Sequence, residues 1–183
     1  MESAVAELGG LDILVNNAGL ALGRDSFSRS SEEDERVVLE TNVNGLVRIT
    51  RLCLPHLADG GHIVNLGSIA GIQAYPNGAI YCLSKAAVHM FSRALREDLL
   101  GTPVRITTIA PGLVETDFSK VRFGGDEEKA RAVYANVALG GPMHAEDVAD
   151  CILFAVTRPA NVNVDEIVVM ALAQASGARI LRE

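Results

Sequence analysis

The sequence has no tryptophan and only 4% aromatic residues, so it offers little from which to build the stacking platforms that grip bases or sugars. Basic residues are not clustered: 16 lysines and arginines stand against 23 acidic residues, for a net charge of −7. With a pI near 5.1, nothing is laid out to follow a phosphate backbone, and nucleic acid is not an expected partner. Cys53, Cys82 and Cys151 lie far apart with no Cys-x-x-Cys pair, and His56, His62, His89 and His144 show no ligand spacing. Reduced thiols and no metal are therefore expected. No apolar run approaches the roughly 18 residues of a membrane span, and Met1-Glu2-Ser3 places no basic start before an apolar stretch. Neither a membrane anchor nor a signal peptide is expected, and a cytoplasmic protein is the default.

What is present is core material. The 183 residues are 49% hydrophobic and 21% charged, enough for one domain spanning 1–183 and too apolar for a disordered chain. Strand-like apolar runs at Leu11–Val15, His62–Leu66, Val104–Ala110 and Glu166–Met170 alternate with helical patterns, which reads as a parallel α/β sheet. The first three runs are nearly continuous, as in strands covered on both faces. Helices are expected from Glu32, after a start signal at Ser31 and Asp34, to about Leu57; from Ala79 to Leu100; over about Asp126–Val137; and over Ala145–Thr157. The loops Asn16-Asn17-Ala18-Gly19, Gly67-Ser68 and Pro111-Gly112 all follow strand C-termini, the edge where open parallel sheets bind ligands.

Chemistry concentrates at that edge. Tyr81 and Lys85 are one helical turn apart, so a phenol and an ammonium share a helix face. A cation there would stabilise the phenolate and bring the phenol toward the range useful for proton transfer. Ser68, thirteen residues before Tyr81, stands just after a buried strand, where its hydroxyl could hold a substrate oxygen. Each has a plain alternative: a packed tyrosine with a solvated lysine, and a serine that only shapes a turn. Asn42 and Asn44 lie within a helix, where asparagine is a poor helix former unless its side chain has a task. Asn42 is expected to face inward and hold a water or a backbone carbonyl.

Taken together, Asn16-Asn17-Ala18-Gly19 after a strand, a helical Asn42, Ser68, Tyr81-x-x-x-Lys85 and Pro111-Gly112 with Thr116 resemble the short-chain dehydrogenase/reductase superfamily in order and spacing. That resemblance implies a Rossmann-like doubly wound parallel sheet. It also implies Tyr81 as proton donor or acceptor, Lys85 as the group that lowers its pKa and binds the nicotinamide ribose, Ser68 as the residue orienting the substrate oxygen, and Asn42 as the anchor of a proton-relay water. Asn17, Ala18 and Gly19 would line the cofactor near its adenosine half. Pro111, Gly112, Val114 and Thr116 would line it near the nicotinamide. The runs Asn16 to Gly23, Val121-Arg122-Phe123 and Val162 to Glu166 further resemble the NADP-dependent 3-hydroxy acid dehydrogenases, which oxidise serine, allo-threonine and related acids. This implies NADP, with NAD as the alternative, and a carboxylate-bearing substrate for which Arg122 is the candidate partner.

One expected feature of that family is missing: no Gly-x-x-x-Gly-x-Gly or Gly-x-Gly-x-x-Gly occurs. The resemblance places Met1 in the family's fourth helix, so the chain reads as a truncated member that keeps strands four to seven in the order 4-5-6-7. It would lack about two βαβ units of ~30 residues each. The first strand then becomes an edge, and self-association as a homo-oligomer is expected to cover it. A second reading follows: an inactive remnant whose two long helices serve as an oligomerisation module.

Overall fold

The computed structural model describes residues 2–183, and Met1, with the placement given to it above, lies outside them. Four parallel strands, β1 (Leu11–Asn16), β2 (Leu57–Leu66), β3 (Arg105–Pro111) and β4 (Glu166–Val169), form one sheet in the order β1-β2-β3-β4. Register is fixed by the apolar runs: Val15 lies beside Val64, Ile63 beside Ile106, and Ile109 beside Ile167. A slip of one residue would turn each of these to the opposite face. The alternation read from the sequence is therefore the architecture, with boundaries moved by one residue except at β2, which starts five residues earlier in a Gly60-Gly61 stretch.

Helix α1 (Glu2–Leu8) precedes β1, and α2 (Glu32–Leu39) and α3 (Leu46–Cys53) connect β1 to β2. Between α2 and α3 the chain stays helical through one wide π-type turn, Glu40–Gly45, before a final tight turn at Leu54–His56. The single helix expected from Glu32 to Leu57 is thus continuous in direction but widened around Asn42, a feature that commonly marks functional sites. Helix α4 (Ala79–Asp98) links β2 to β3, and α5 (Phe118–Arg122), α6 (Glu127–Tyr134) and α7 (Ala145–Val156) lie between β3 and β4. The short α5 gives no periodic signal in sequence and was not expected as a helix. α7 packs Val148, Cys151, Ile152 and Val156 on Val64, Leu66 and Ile109.

The expectation of uniformly buried strands needs one correction. His62 to Leu66 and Ile106 to Ala110 are buried, but Ile13 and Val15 of β1 are 45% and 40% exposed, because α7 reaches only as far as β2 and β3. No helix among the described residues is long and apolar enough to cross a membrane.

Candidate active site

Helix α4 presents an unusual inner stripe: its buried residues are Ser84, Lys85, Val88, His89 and Ser92. Four of the five are polar, and each of those side chains makes at least one hydrogen bond. Lys85 Nζ donates to the carbonyl of Leu66 at 2.8 Å, at the end of β2. Ser84 Oγ donates to the Tyr81 carbonyl at 2.8 Å and accepts from Asn42 Nδ2 at 3.0 Å. Ser92 accepts from Asn65, and Asn16 donates to Asn65 and to Thr50. A polar chain therefore runs under the sheet's carboxyl edge.

Asn42 shows how the widened helical turn serves the site. Its Oδ1 accepts from the Leu20 backbone N–H and its Nδ2 donates to the Leu20 carbonyl, both at 2.8 Å. One amide side chain thus satisfies both backbone groups of a loop residue, as a strand partner would. The expected grip on a backbone carbonyl is present, and with the Ser84 bond both Nδ2 hydrogens are committed. Asn44, by contrast, points outward and bonds Glu40. Asn42 lines neither of the two cavities that meet at Ser68 and Tyr81; it sits behind the wall and shapes it.

Ser68 caps the tight turn Ile69–Gly71, its Oγ accepting from Ala70 N at 3.1 Å and lying 3.4 Å from the Pro111 carbonyl oxygen. Tyr81, in the first turn of α4, lines the same cavities as Ser68, and its ring leans on Phe118 of α5 at 5.5 Å between centroids. Lys85 Nζ lies 5.9 Å from the Tyr81 ring centre. Burial pushes the Tyr81 phenol above its ordinary value, against the opposing pull of Ser68 and the Arg122 charge. Burial also lowers Lys85 to about 8. This revises the picture drawn from spacing alone. The cation is one turn away as expected, but it is turned to Leu66, and desolvation dominates the phenol.

Two adjoining cavities meet at Ser68 and Tyr81. The larger, about 880 Å³, lies along the strand C-termini between Asn17 and Gly19 on one side and Pro111, Gly112, Val114 and Thr116 on the other, with Lys85 at its floor. The smaller, about 240 Å³, is bounded by Arg24, Tyr75, Phe118 and Arg122. Of the residues read from the sequence, Ala18 alone is exposed away from both walls. Arg122 is drawn into the smaller cavity, where Nη1 donates to Tyr75 Oη and Nε to the Gly23 carbonyl, each at 3.0 Å.

Sequence reasoning missed several residues that hold this place together. Gln174 accepts from Leu113 N at 2.7 Å, and a Cβ on Gly112 would fall 2.1 Å from its Oε1, so glycine at 112 is required by that packing. Tyr75 and His89 were missed as well. Polar residues at 84, 85, 89 and 92, spaced i, i+1, i+5 and i+8 along one side of the helix, were the available signal for a polar inner face.

A family model described as "short chain dehydrogenase" matches residues 1–126. An NADP-dependent 3-hydroxy acid dehydrogenase from Schizosaccharomyces pombe is 42% identical over 185 residues, covering 100% of this chain and 70% of that protein. Sulfoacetaldehyde reductase 2 from Chromohalobacter salexigens is 45% identical over 168 residues, covering 90% of this chain and 66% of that protein. Among solved structures, the closed form of a serine dehydrogenase complexed with NADP+ is similar with a TM-score of 0.89 at 41% identity, covering 100% of this chain and 75% of that one.

Proposed function

The chain belongs to the short-chain dehydrogenase family and is an oxidoreductase, and from that premise we propose that it interconverts a short 3-hydroxy acid of the serine kind and its keto form, with NADP as cofactor and NAD as the alternative. One observation carries the substrate class: a half-buried guanidinium, Arg122, is fixed in the cavity that opens onto Ser68 and Tyr81. A cation so placed favours an organic acid whose reacting carbon is a short distance from its anionic end. The names of similar proteins support the same class, since serine, 3-hydroxy acids and sulfoacetaldehyde all carry an acidic group.

The walls of the larger cavity suit a dinucleotide. Glycines stand where backbone approaches the cleft: a Cβ at Gly19 would crowd Asn42 Oδ1 at 3.3 Å and Lys85 Nζ at 3.4 Å. We assign Asn17 and Gly19 to the adenosine side, Tyr81 and Lys85 to the nicotinamide ribose, and Pro111, Gly112, Val114 and Thr116 to the nicotinamide; Ala18, turned away from the cavity, drops out of the set. NADP, when bound there, supplies the hydride acceptor or donor. Lys85 offers three N–H donors, one committed to Leu66, so two remain for ribose hydroxyls. Ser68 Oγ and Tyr81 Oη converge on the substrate oxygen; Ser68 orients it and Tyr81 carries its proton. A neutral, buried phenol is a donor, so the resting arrangement is set to protonate a carbonyl oxygen as it is reduced. In the oxidising direction Tyr81 must first ionise, which its burial opposes. Asn42, through Leu20, fixes the loop beside them, and its amide keeps no free hydrogen for the relay water that the resemblance implied.

The experiment is a titration of NADPH fluorescence with the purified chain, followed by assay with L-serine, 3-hydroxypropionate and a neutral alcohol of equal length. NADPH binding with turnover of the acids only is expected. No binding would favour the second reading, an inactive oligomerisation module, which the apolar surfaces of two helices support: Ile49 and Leu52 on α3 and Leu83 and Met90 on α4 are 39–62% exposed. Self-association through those faces is proposed under either reading, and sedimentation as a monomer would refute it.

A further inference from the structure

We propose that His89 is a positioning residue that sets the Ser68 turn through the tautomer imposed on it by Glu166; the inference rests on the reading of Ser68 as the substrate-orienting hydroxyl. His89 lies two turns of α4 below Tyr81 and is 4% exposed, so it touches neither substrate nor cofactor. Its Nε2 is 3.3 Å from the Ser68 backbone nitrogen and 3.1 Å from the Ser68 carbonyl oxygen. A single ring nitrogen cannot serve both: with a lone pair it accepts from the N–H, and with a hydrogen it donates to the carbonyl.

Glu166, the first residue of β4, decides between them. Its Oε1 lies 2.8 Å from His89 Nδ1, near enough for the carboxylate charge to act on that ring nitrogen though out of line for a regular hydrogen bond. Its Oε2 is held at 2.8 Å by Arg93. A carboxylate beside Nδ1 draws the proton there and leaves the Nε2 lone pair facing the Ser68 N–H. The turn is built around this ring. A Cβ on Gly67 would stand 2.5 Å from His89 Nε2, and one on Gly71 would stand 2.7 Å from His89 Cδ2, so glycines on both sides of Ser68 let the backbone close onto the imidazole. The same face of the turn is braced by the Lys85 backbone carbonyl, 2.8 Å from that Gly71 position. Arg93, Glu166 and His89 thus form a relay of fixed geometry from the surface of α4, across the edge of β4, to the peptide that carries the serine hydroxyl.

The test uses the full chain labelled with ¹⁵N histidine and a backbone label. In the unmodified protein the His89 ring is expected to carry its proton on Nδ1 with Nε2 unprotonated, and the Ser68 amide is expected to exchange slowly. Glu166→Ala should give a mixture of tautomers with the ring still in place. His89→Ala should speed Ser68 amide exchange at least tenfold and lower kcat about tenfold, with KM for NADPH within twofold. A proton on Nε2 in the unmodified protein, or unchanged Ser68 exchange in His89→Ala, would overturn the proposal. If His89→Ala does not fold, the tautomer of the unmodified protein and its response in Glu166→Ala still decide. If the unmodified chain turns over no 3-hydroxy acid, the functional reading fails while the two spectroscopic readouts stand.

Discussion

Arg122 and Tyr75 hold one another at the back of the smaller cavity: Nη1 donates to the phenol oxygen at 3.0 Å while the guanidinium carbon lies 5.6 Å from the same ring's centre. The Tyr81 ring centre lies 5.8 Å from the same guanidinium carbon. An arginine on an exposed loop would spend most of its time in solvent. This one is pre-oriented, so the entropy cost of gripping an anion is already met before substrate arrives.

The first prediction concerns that pair. Arg122→Ala should raise KM for 3-hydroxy acids by roughly 10- to 100-fold, the loss of a charge-assisted contact of about 1.5–3 kcal/mol. The rate with a neutral alcohol should change little. Tyr75→Phe should give a smaller rise, since it removes only the orienting oxygen. Steady-state kinetics on the three proteins check this, and an equal loss for acid and alcohol would refute it.

Two buried bases make stability climb with pH in separate windows. His62 is held to about 4 by burial and the Arg105 charge, against its ordinary 6.5, and Lys85 is held to about 8 against 10.5. In each interval the unfolded chain binds a proton that the folded chain does not, so stability rises with pH between 4 and 6.5 and again between 8 and 10.5. Full shifts of this size correspond to about 3 kcal/mol each at most. Urea midpoints of the unmodified chain and of Lys85→Met at pH 7.5 and 10 check the upper window. The gain should vanish in Lys85→Met.

Tyr81 predicts an asymmetry between directions. Because its phenol is pushed upward, little phenolate exists near neutral pH. Between pH 6 and 7.5, oxidation should therefore rise roughly tenfold per unit while carbonyl reduction stays nearly level. Initial rates in both directions across that range check it; parallel profiles would count against Tyr81 as the proton carrier.

Asn42→Leu keeps the size of the side chain but strands the Leu20 N–H, the Leu20 carbonyl and the Ser84 hydroxyl, all now bonded to the amide. A loss of about 2–4 kcal/mol is expected, since buried groups left without partners cost their full desolvation. NADPH affinity should fall with it, because Leu20 lines the larger cavity. Urea denaturation and a fluorescence titration measure the two effects.

The amino-acid sequence by itself determined the strands and their parallel direction, because apolar runs of five or six residues separated by helical patterns have few ways to pack except as a parallel sheet; their order was implied only by the family resemblance. It also brought Ser68, Tyr81, Lys85 and the Pro111-Gly112 turn to one edge of the sheet, since one helical turn and one strand end fix those positions locally. Three matters were decided only in the tertiary structure. The charge state around Tyr81 depends on how far water is excluded and on where Lys85 Nζ is turned, neither of which spacing contains. The placement of Arg122 depends on Tyr75 and Gly23, respectively 47 and 99 residues away in the chain. His89, unremarkable in sequence, meets Ser68 and Glu166 only because β4 closes beside β3. Local pattern reports what a residue can be next to within a turn or two; desolvation and long-range contact are properties of the assembled core, and they exist only once the strands have met.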